Sequence, residues 1–189
     1  GRADRQGGFW WGTMGRRGGA DPGLGAVFRY CHGEVRRLFT GLTIPNAICF
    51  AADGRSAFFA DTAPAKVWRV ALDGAGWPLG EPGIYLDLAA EGLNPDGAVI
   101  GADGLFWNAQ WGASRVAAYA PDGTLARTVA VPAPHASCPA FGGTDLSVLY
   151  VTTAREEMDA AALAACPAAG QTFAIAGVGR GLPEPQVLL

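Results

Sequence analysis

The sequence predicts an all-β fold built of about four β-propeller blades, on three observations: turn residues packed between short apolar runs, one aromatic segment repeated four times, and one stretch duplicated further along. Gly (28 residues) and Pro (13 residues) are abundant, and turn dipeptides recur between β-branched or aromatic runs, the pattern an all-β chain requires. Phe9-Trp10-Trp11, Ala57-Phe58-Phe59, Leu105-Phe106-Trp107 and Val148-Leu149-Tyr150 each follow a turn and precede a small or polar residue. With Trp11, Phe59, Trp107 and Tyr150 as markers, the intervals are about 48, 48 and 43 residues, within the ~40–50 range of propeller blades.

Taken in order, Gly15 to Gly25, with Arg16-Arg17, reads as an exposed loop. Pro45-Asn46-Ala47-Ile48-Cys49-Phe50-Ala51-Ala52-Asp53-Gly54 then aligns without a gap on Pro95-Asp96-Gly97-Ala98-Val99-Ile100-Gly101-Ala102-Asp103-Gly104. Each stretch opens on a polar residue, continues as an apolar strand and ends in an Asp-Gly hairpin turn. Beyond each turn a second strand follows. Val67-Trp68-Arg69-Val70 before Asp73-Gly74 is matched by Val116-Ala117-Ala118-Tyr119 before Asp122-Gly123. This is an antiparallel meander closed by turns, the unit of a blade. In the last blade the same register sets Cys138 opposite Asn46 and Asp96, and in the first it runs off the N-terminus just before Gly1. The Ala-rich stretch from Glu156 to Ala165, closed by Pro167 and Gly170, reads as one short helix between strands.

At 189 residues the chain can bury a sizeable core as one domain, 1–189. Half of the residues are hydrophobic and 16% are charged, yet no apolar run approaches the ~20 residues of a membrane-spanning helix. A net charge of −3 leaves no electrostatic footprint for nucleic acid or an anionic membrane, and leaves small neutral or acidic metabolites open as partners. Cys31, Cys49, Cys138 and Cys166 lie far apart, which fits neither a zinc knuckle nor a dense disulfide scaffold. A reducing cytoplasm is expected. The chain opens on Gly1-Arg2-Ala3-Asp4 with no initiator Met or signal sequence, and is expected to be an incomplete product.

The first strand of each propeller blade lines a central channel, so residues at equivalent repeat positions converge there. Asn46 and Asp96 hold equivalent positions in adjacent blades. A carboxylate and a carboxamide oxygen are hard ligands, suited to Ca²⁺ or Mg²⁺ and tolerated by Zn²⁺ or Mn²⁺. Two ligands are too few to hold a metal tightly, and the repeat supplies no third carboxylate. The alternative is that both residues cap strand starts and turns.

Phe9-Trp10-Trp11-Gly12-Thr13-Met14, Pro45-Asn46, Asp61-Thr62, Pro95-Asp96-Gly97, Phe141-Gly142-Gly143 and Leu149-Tyr150-Val151-Thr152-Thr153 stand in the order and approximate spacing of the SMP-30/gluconolactonase family. The resemblance runs through essentially the whole chain. It implies a six-bladed β-propeller with about its last four blades in this chain, and N-terminal blades outside it. It also implies hydrolysis of a sugar lactone with one divalent metal ion, Ca²⁺ first and Zn²⁺, Mg²⁺ or Mn²⁺ as options. Asn46 and Asp96 correspond to two of the family's three protein metal ligands, and Asp96 to its general base. The third ligand, a glutamate, and an Arg and an Asn that contact substrate have no counterpart here. The chain departs from the family pattern at Ala47, where Gly is usual, and at Thr62, where Ser is usual.

Other candidates read more plainly. His135, beside two prolines, reads as a loop residue, and His32, before Gly33, as a turn residue. Ser137 and Cys138 have no His-Asp partner spaced to activate them, so Cys138 is at most a pocket-lining residue. Trp10, Trp11, Trp68 and Trp107 are expected to pack in blade cores. Trp111 is expected to pack, with walling a sugar site as the other option. The function from another class is a propeller that binds Ca²⁺ or a small molecule without turning it over.

Overall fold

The structure is a computed structural model and describes all 189 residues. Four antiparallel sheets follow one another along the chain. The first comprises β1 (Arg2–Ala3), β2 (Phe9–Thr13), β3 (Gly25–Cys31) and β4 (Glu34–Leu42). The second comprises β5 (Pro45–Phe50), β6 (Ser56–Asp61), β7 (Lys66–Ala71) and β8 (Gly83–Asp87). The third comprises β9 (Asn94–Ile100), β10 (Phe106–Trp111), β11 (Arg115–Tyr119) and β12 (Leu125–Ala130), and the fourth β13 (Ala136–Gly142), β14 (Val148–Thr153) and β15 (Thr172–Ala176). Within every sheet, strands consecutive in sequence are neighbours, the up-and-down order of a propeller blade. The first strand of blade one, β1, is only two residues long and pairs with the start of β2.

Turn chemistry sets these meanders. After β5 and β9, the Asp-Gly pairs place Gly54 at φ 68° and Gly104 at φ 78°, and the preceding carboxylates accept the amides of Arg55 (2.9 Å) and Leu105 (3.1 Å). An Asp that binds the amide two residues on, followed by a residue free to take positive φ, closes a hairpin with little strain. Cys31 and Glu34 are paired across His32 and Gly33, both at positive φ, which confirms His32 as a turn residue.

The chain divides into two compact units, Gly1–Pro95 with Pro183–Leu189, and Asp96–Leu182. In the first, Trp10, Val27, Phe50, Phe59 and Val70 form the buried core, with the Phe39 and Phe59 rings stacked at 4.6 Å. In the second, Trp107, Val116, Ala118, Leu149 and Val151 do the same. Leu149 is fully buried whereas Tyr150 is 40% exposed, and Trp10 is buried where Trp11 is only partly so. The repeat markers are therefore Trp10 and Leu149, one residue earlier than the sequence suggested. Trp11 packs instead outside the core against Phe9 and Phe28.

The helix, α1, covers Ala160–Ala165 and is shorter than expected. The Asp159 carboxylate accepts the Ala162 amide (2.8 Å) and caps it there, while Glu157 upstream sits at φ 61°, outside helical geometry.

Candidate functional site

Asn46 is the second residue of β5, paired with Ala60 of β6. Pairing then slips between Asn46 and Cys49, and Ala47 takes φ 54° while its methyl is buried. A non-glycine residue in the left-handed region costs about 1–2 kcal/mol, and such a bulge re-aims the side chain beside it. Upstream, the buried Asp61 carboxylate accepts the amides of Thr43 (2.7 Å) and Ile44 (2.8 Å), fixing the chain just before Pro45-Asn46. The Asn46 carboxamide donates through Nδ2 to Thr62 Oγ1 (3.0 Å), and that hydroxyl donates to the Pro95 carbonyl (2.7 Å). Thr62 thereby leaves Asn46 Oδ1 on the far side of the amide, the atom type a hard cation takes.

Asp96 lies near the start of β9, partly buried. Burial pushes its carboxyl up to about 7; the Gly97 amide pulls it down, and the Glu156 charge pushes it up further. No Lys, Arg or His forms an ion pair with it. Asn108 of β10, fully buried, donates through Nδ2 to the carbonyls of Asp96 and Gly97, both at 3.1 Å, and so holds the backbone that carries the carboxylate. Asn108 Oδ1 is buried without a hydrogen bond. A Cβ on Gly97 would lie 2.7 Å from both Cys138 Sγ and the Ser137 carbonyl, so no larger residue fits there without moving β13.

Both residues fit a divalent cation by donor chemistry. Asn46 offers a carboxamide oxygen, and Asp96 a desolvated carboxylate whose charged form lacks a cationic partner. Nowhere do three His, Cys, Asp or Glu side chains gather as a ready-made metal site. Cys138 is exposed, and its carbonyl accepts from Thr152 Oγ1 (3.3 Å), which also bonds Ser137 Oγ (2.7 Å). All four cysteines are thiols. Trp111 stacks on His135 with rings 4.3 Å apart and 6° from parallel, so one of its faces is filled by packing. Asp61, Thr62 and Asn108 as supports of the two candidates went unrecognised in the sequence. The motif Asp61-Thr62 was visible, but its hydrogen bonds depend on cross-strand register.

Residues 1–155 match the SMP-30/gluconolactonase/LRE-like region. The chain belongs to this family. Among its relatives, a Rhizobium meliloti protein assigned to the sugar lactone lactonases is 45% identical over 98% of this chain and 63% of its own length. The 6-deoxy-6-sulfogluconolactonase of Pseudomonas putida is 33% identical over 98% of this chain and 63% of its own. The crystal structure of regucalcin, a calcium-binding protein from Agrobacterium tumefaciens, covers all of this chain with 63% of its own at a TM-score of 0.95 and 39% identity. The chain thus spans somewhat under two thirds of the length of the SMP-30/gluconolactonase relatives it matches. No helix is long and apolar enough to cross a membrane.

Proposed function

We propose that this chain carries part of the active site of a divalent-metal-dependent sugar lactonase, with Asn46 and Asp96 as two metal ligands and Asp96 also as general base. The observation that carries the reading is the partly buried Asp96 carboxylate on β9, ion-paired to no Lys, Arg or His, in a chain of this family; burial raises its carboxyl to about 7. A bound Ca²⁺, or Zn²⁺, Mg²⁺ or Mn²⁺, would supply Lewis-acid polarisation of the lactone carbonyl. Asn46 contributes an oxygen without charge, which leaves the cation more electrophilic than a second carboxylate would. Asp96 accepts the proton of the attacking water as the new C–O bond forms; the ring C–O bond breaks, and the ring oxygen takes up a proton to give the open-chain aldonic acid. A carboxyl raised towards neutrality suits this transfer, because it is a stronger proton acceptor than a surface aspartate while a sizeable share of it is ionised at neutral pH. The complete protein is proposed to be a six-bladed propeller acting in the cytoplasm on small sugar lactones, with neither nucleic acid nor membrane as a partner. Cys138 and Trp111 are proposed only as rim residues of the substrate pocket.

The similarity to a calcium-binding regucalcin favours one rival, a propeller that holds Ca²⁺ without turnover. The test is hydrolysis of a panel of aldonolactones by the full-length protein, followed as acid release, after chelation and after adding back single cations. Turnover restored by a cation and abolished by Asp96→Ala supports the lactonase. Cation binding without turnover on any lactone moves the assignment to the binding protein.

A further inference from the structure

Thr62 has one hydroxyl proton and two hydrogen-bonding neighbours, the Pro95 carbonyl oxygen at 2.7 Å and Asn46 Nδ2 at 3.0 Å. A carbonyl oxygen can only accept, so the proton goes to Pro95. Oγ1 is left with lone pairs alone, and only the NH₂ end of the Asn46 carboxamide can meet it. The two ends of a carboxamide are almost alike in shape, so packing cannot choose between them. The Thr62 hydroxyl can. Thr62 is itself anchored: its amide donates to the Ile44 carbonyl (3.0 Å), and the adjacent Asp61 carboxylate holds the amides of Thr43 and Ile44.

We propose that Thr62 is a positioning residue for cation binding, whose hydroxyl fixes the Asn46 carboxamide with Oδ1, and not the NH₂ group, directed at the cation. The inference rests on the reading of Asn46 as a metal ligand. A flipped amide would present two N–H donors, which cannot coordinate a hard cation. The β-bulge at Asn46 and the left-handed Ala47 aim the side chain, and Thr62 decides which of its atoms arrives first.

The test is titration calorimetry of the full-length protein with Ca²⁺ and, separately, Zn²⁺ at pH 8. Thr62→Val is expected to weaken cation affinity about 10–100-fold and Thr62→Ser to stay within about threefold of wild type, the range for a residue that orients a ligand. In an Asn46→Asp background both ends of the side chain are oxygens, so there is no amide left to orient and Thr62→Val is expected to leave affinity within about threefold. A merely structural threonine would cost the same in both backgrounds. Equal losses in the two backgrounds, or wild-type affinity in Thr62→Val while Asn46→Ala and Asp96→Ala lose the cation, would overturn the inference and leave the metal reading standing. Wild-type affinity in Asn46→Ala and Asp96→Ala would overturn the metal reading and this inference with it. If circular dichroism shows Thr62→Val unfolded, Thr62→Ala replaces it in the same comparison.

Discussion

Asp96 trades two properties that a surface aspartate keeps together: acidity and stability of the charged form. Its free-state value of about 7, against an ordinary 3.8, means that the folded protein binds this proton more tightly than the unfolded chain. The stabilising contribution is fully present below about pH 3.8 and is lost as pH rises through about 7. A cation reverses the balance, since it competes with the proton for the same oxygens. Apparent cation affinity should therefore climb up to about tenfold per pH unit from pH 5 and level off above about 7, read by calorimetry across pH. Asp96→Asn should flatten that profile; an unchanged slope in the variant would remove Asp96 from the ligand set. Next to Asn46, Ala47 stores strain of a different kind at φ 54°. Ala47→Gly relieves roughly 1–2 kcal/mol of backbone strain, but loses about 0.8 kcal/mol of methyl burial and about 0.4–1 kcal/mol to unfolded-chain entropy. Near-neutral thermal stability is expected. Ala47→Val puts a β-branched side chain at positive φ and should cost more than about 2 kcal/mol by denaturant unfolding. Asn46 and Asp96 were legible as candidates because repeat equivalence needs only sequence. Thr62 and Asn108 were not, because their bonds reach residues distant in sequence, Asn46 and Pro95 for Thr62 and the Asp96 and Gly97 carbonyls for Asn108, which only the folded strands bring beside them.

Among the elements, one buried polar contact ties the turn after β1 to β2, β3 and the turn after β7. The Asp4 carboxylate, fully buried, accepts from Arg29 Nε (2.6 Å), Trp10 Nε1 (3.0 Å) and the amides of Gly8 (2.8 Å) and Gln6 (3.0 Å). Arg29 Nη2 donates to the Ala75 carbonyl (2.8 Å), and its guanidinium lies 4.2 Å from the Trp77 ring, whose other cationic neighbour is Arg36 at 4.0 Å. Removing one charge leaves the other desolvated, so Arg29→Met should cost about 3–5 kcal/mol. The Asp4→Asn, Arg29→Met double variant should cost less than the two single changes added together, because the stranded charge is gone. Additive losses in chemical denaturation would show that the pair acts through packing alone. This contact was invisible in the sequence, where Asp4 and Arg29 are 25 residues apart without a motif. The strands were visible because Asp-Gly turns carry their own mechanism, with the carboxylate binding a nearby amide. Phase was harder: in Phe9-Trp10-Trp11 and Val148-Leu149-Tyr150 aromatic size pointed one residue too far, since which face is buried depends on the neighbouring strand. The Ala-rich run announced a helix, but Asp159 as its cap set a later start than composition alone could.

At the scale of the whole molecule, the repeat does two jobs with one register, spacing the blade cores and placing polar residues at the same point of successive inner strands. That economy is why fold and candidate site could be read together, from Trp107 and Phe59 on the one hand and Asn46 and Asp96 on the other. It also exposes the full-length protein to one global consequence of the proposed function. A cation that binds the folded state alone adds RT ln(1 + [L]/Kd) to stability, about 2.7 kcal/mol at a hundredfold excess over Kd. Chelation should accordingly lower the melting temperature by several degrees, and readdition of Ca²⁺ or Zn²⁺ should restore it in proportion to the logarithm of its concentration. Asp96→Ala should show no such response. Its metal-free melting point at pH 8 should stand at or above that of the chelated wild type, because the desolvated charge has been removed without a cation to lose. Scanning calorimetry of the two proteins with and without cation reads all of this. A wild-type melting point indifferent to chelation would argue that Asn46 and Asp96 cap strand starts and hold nothing.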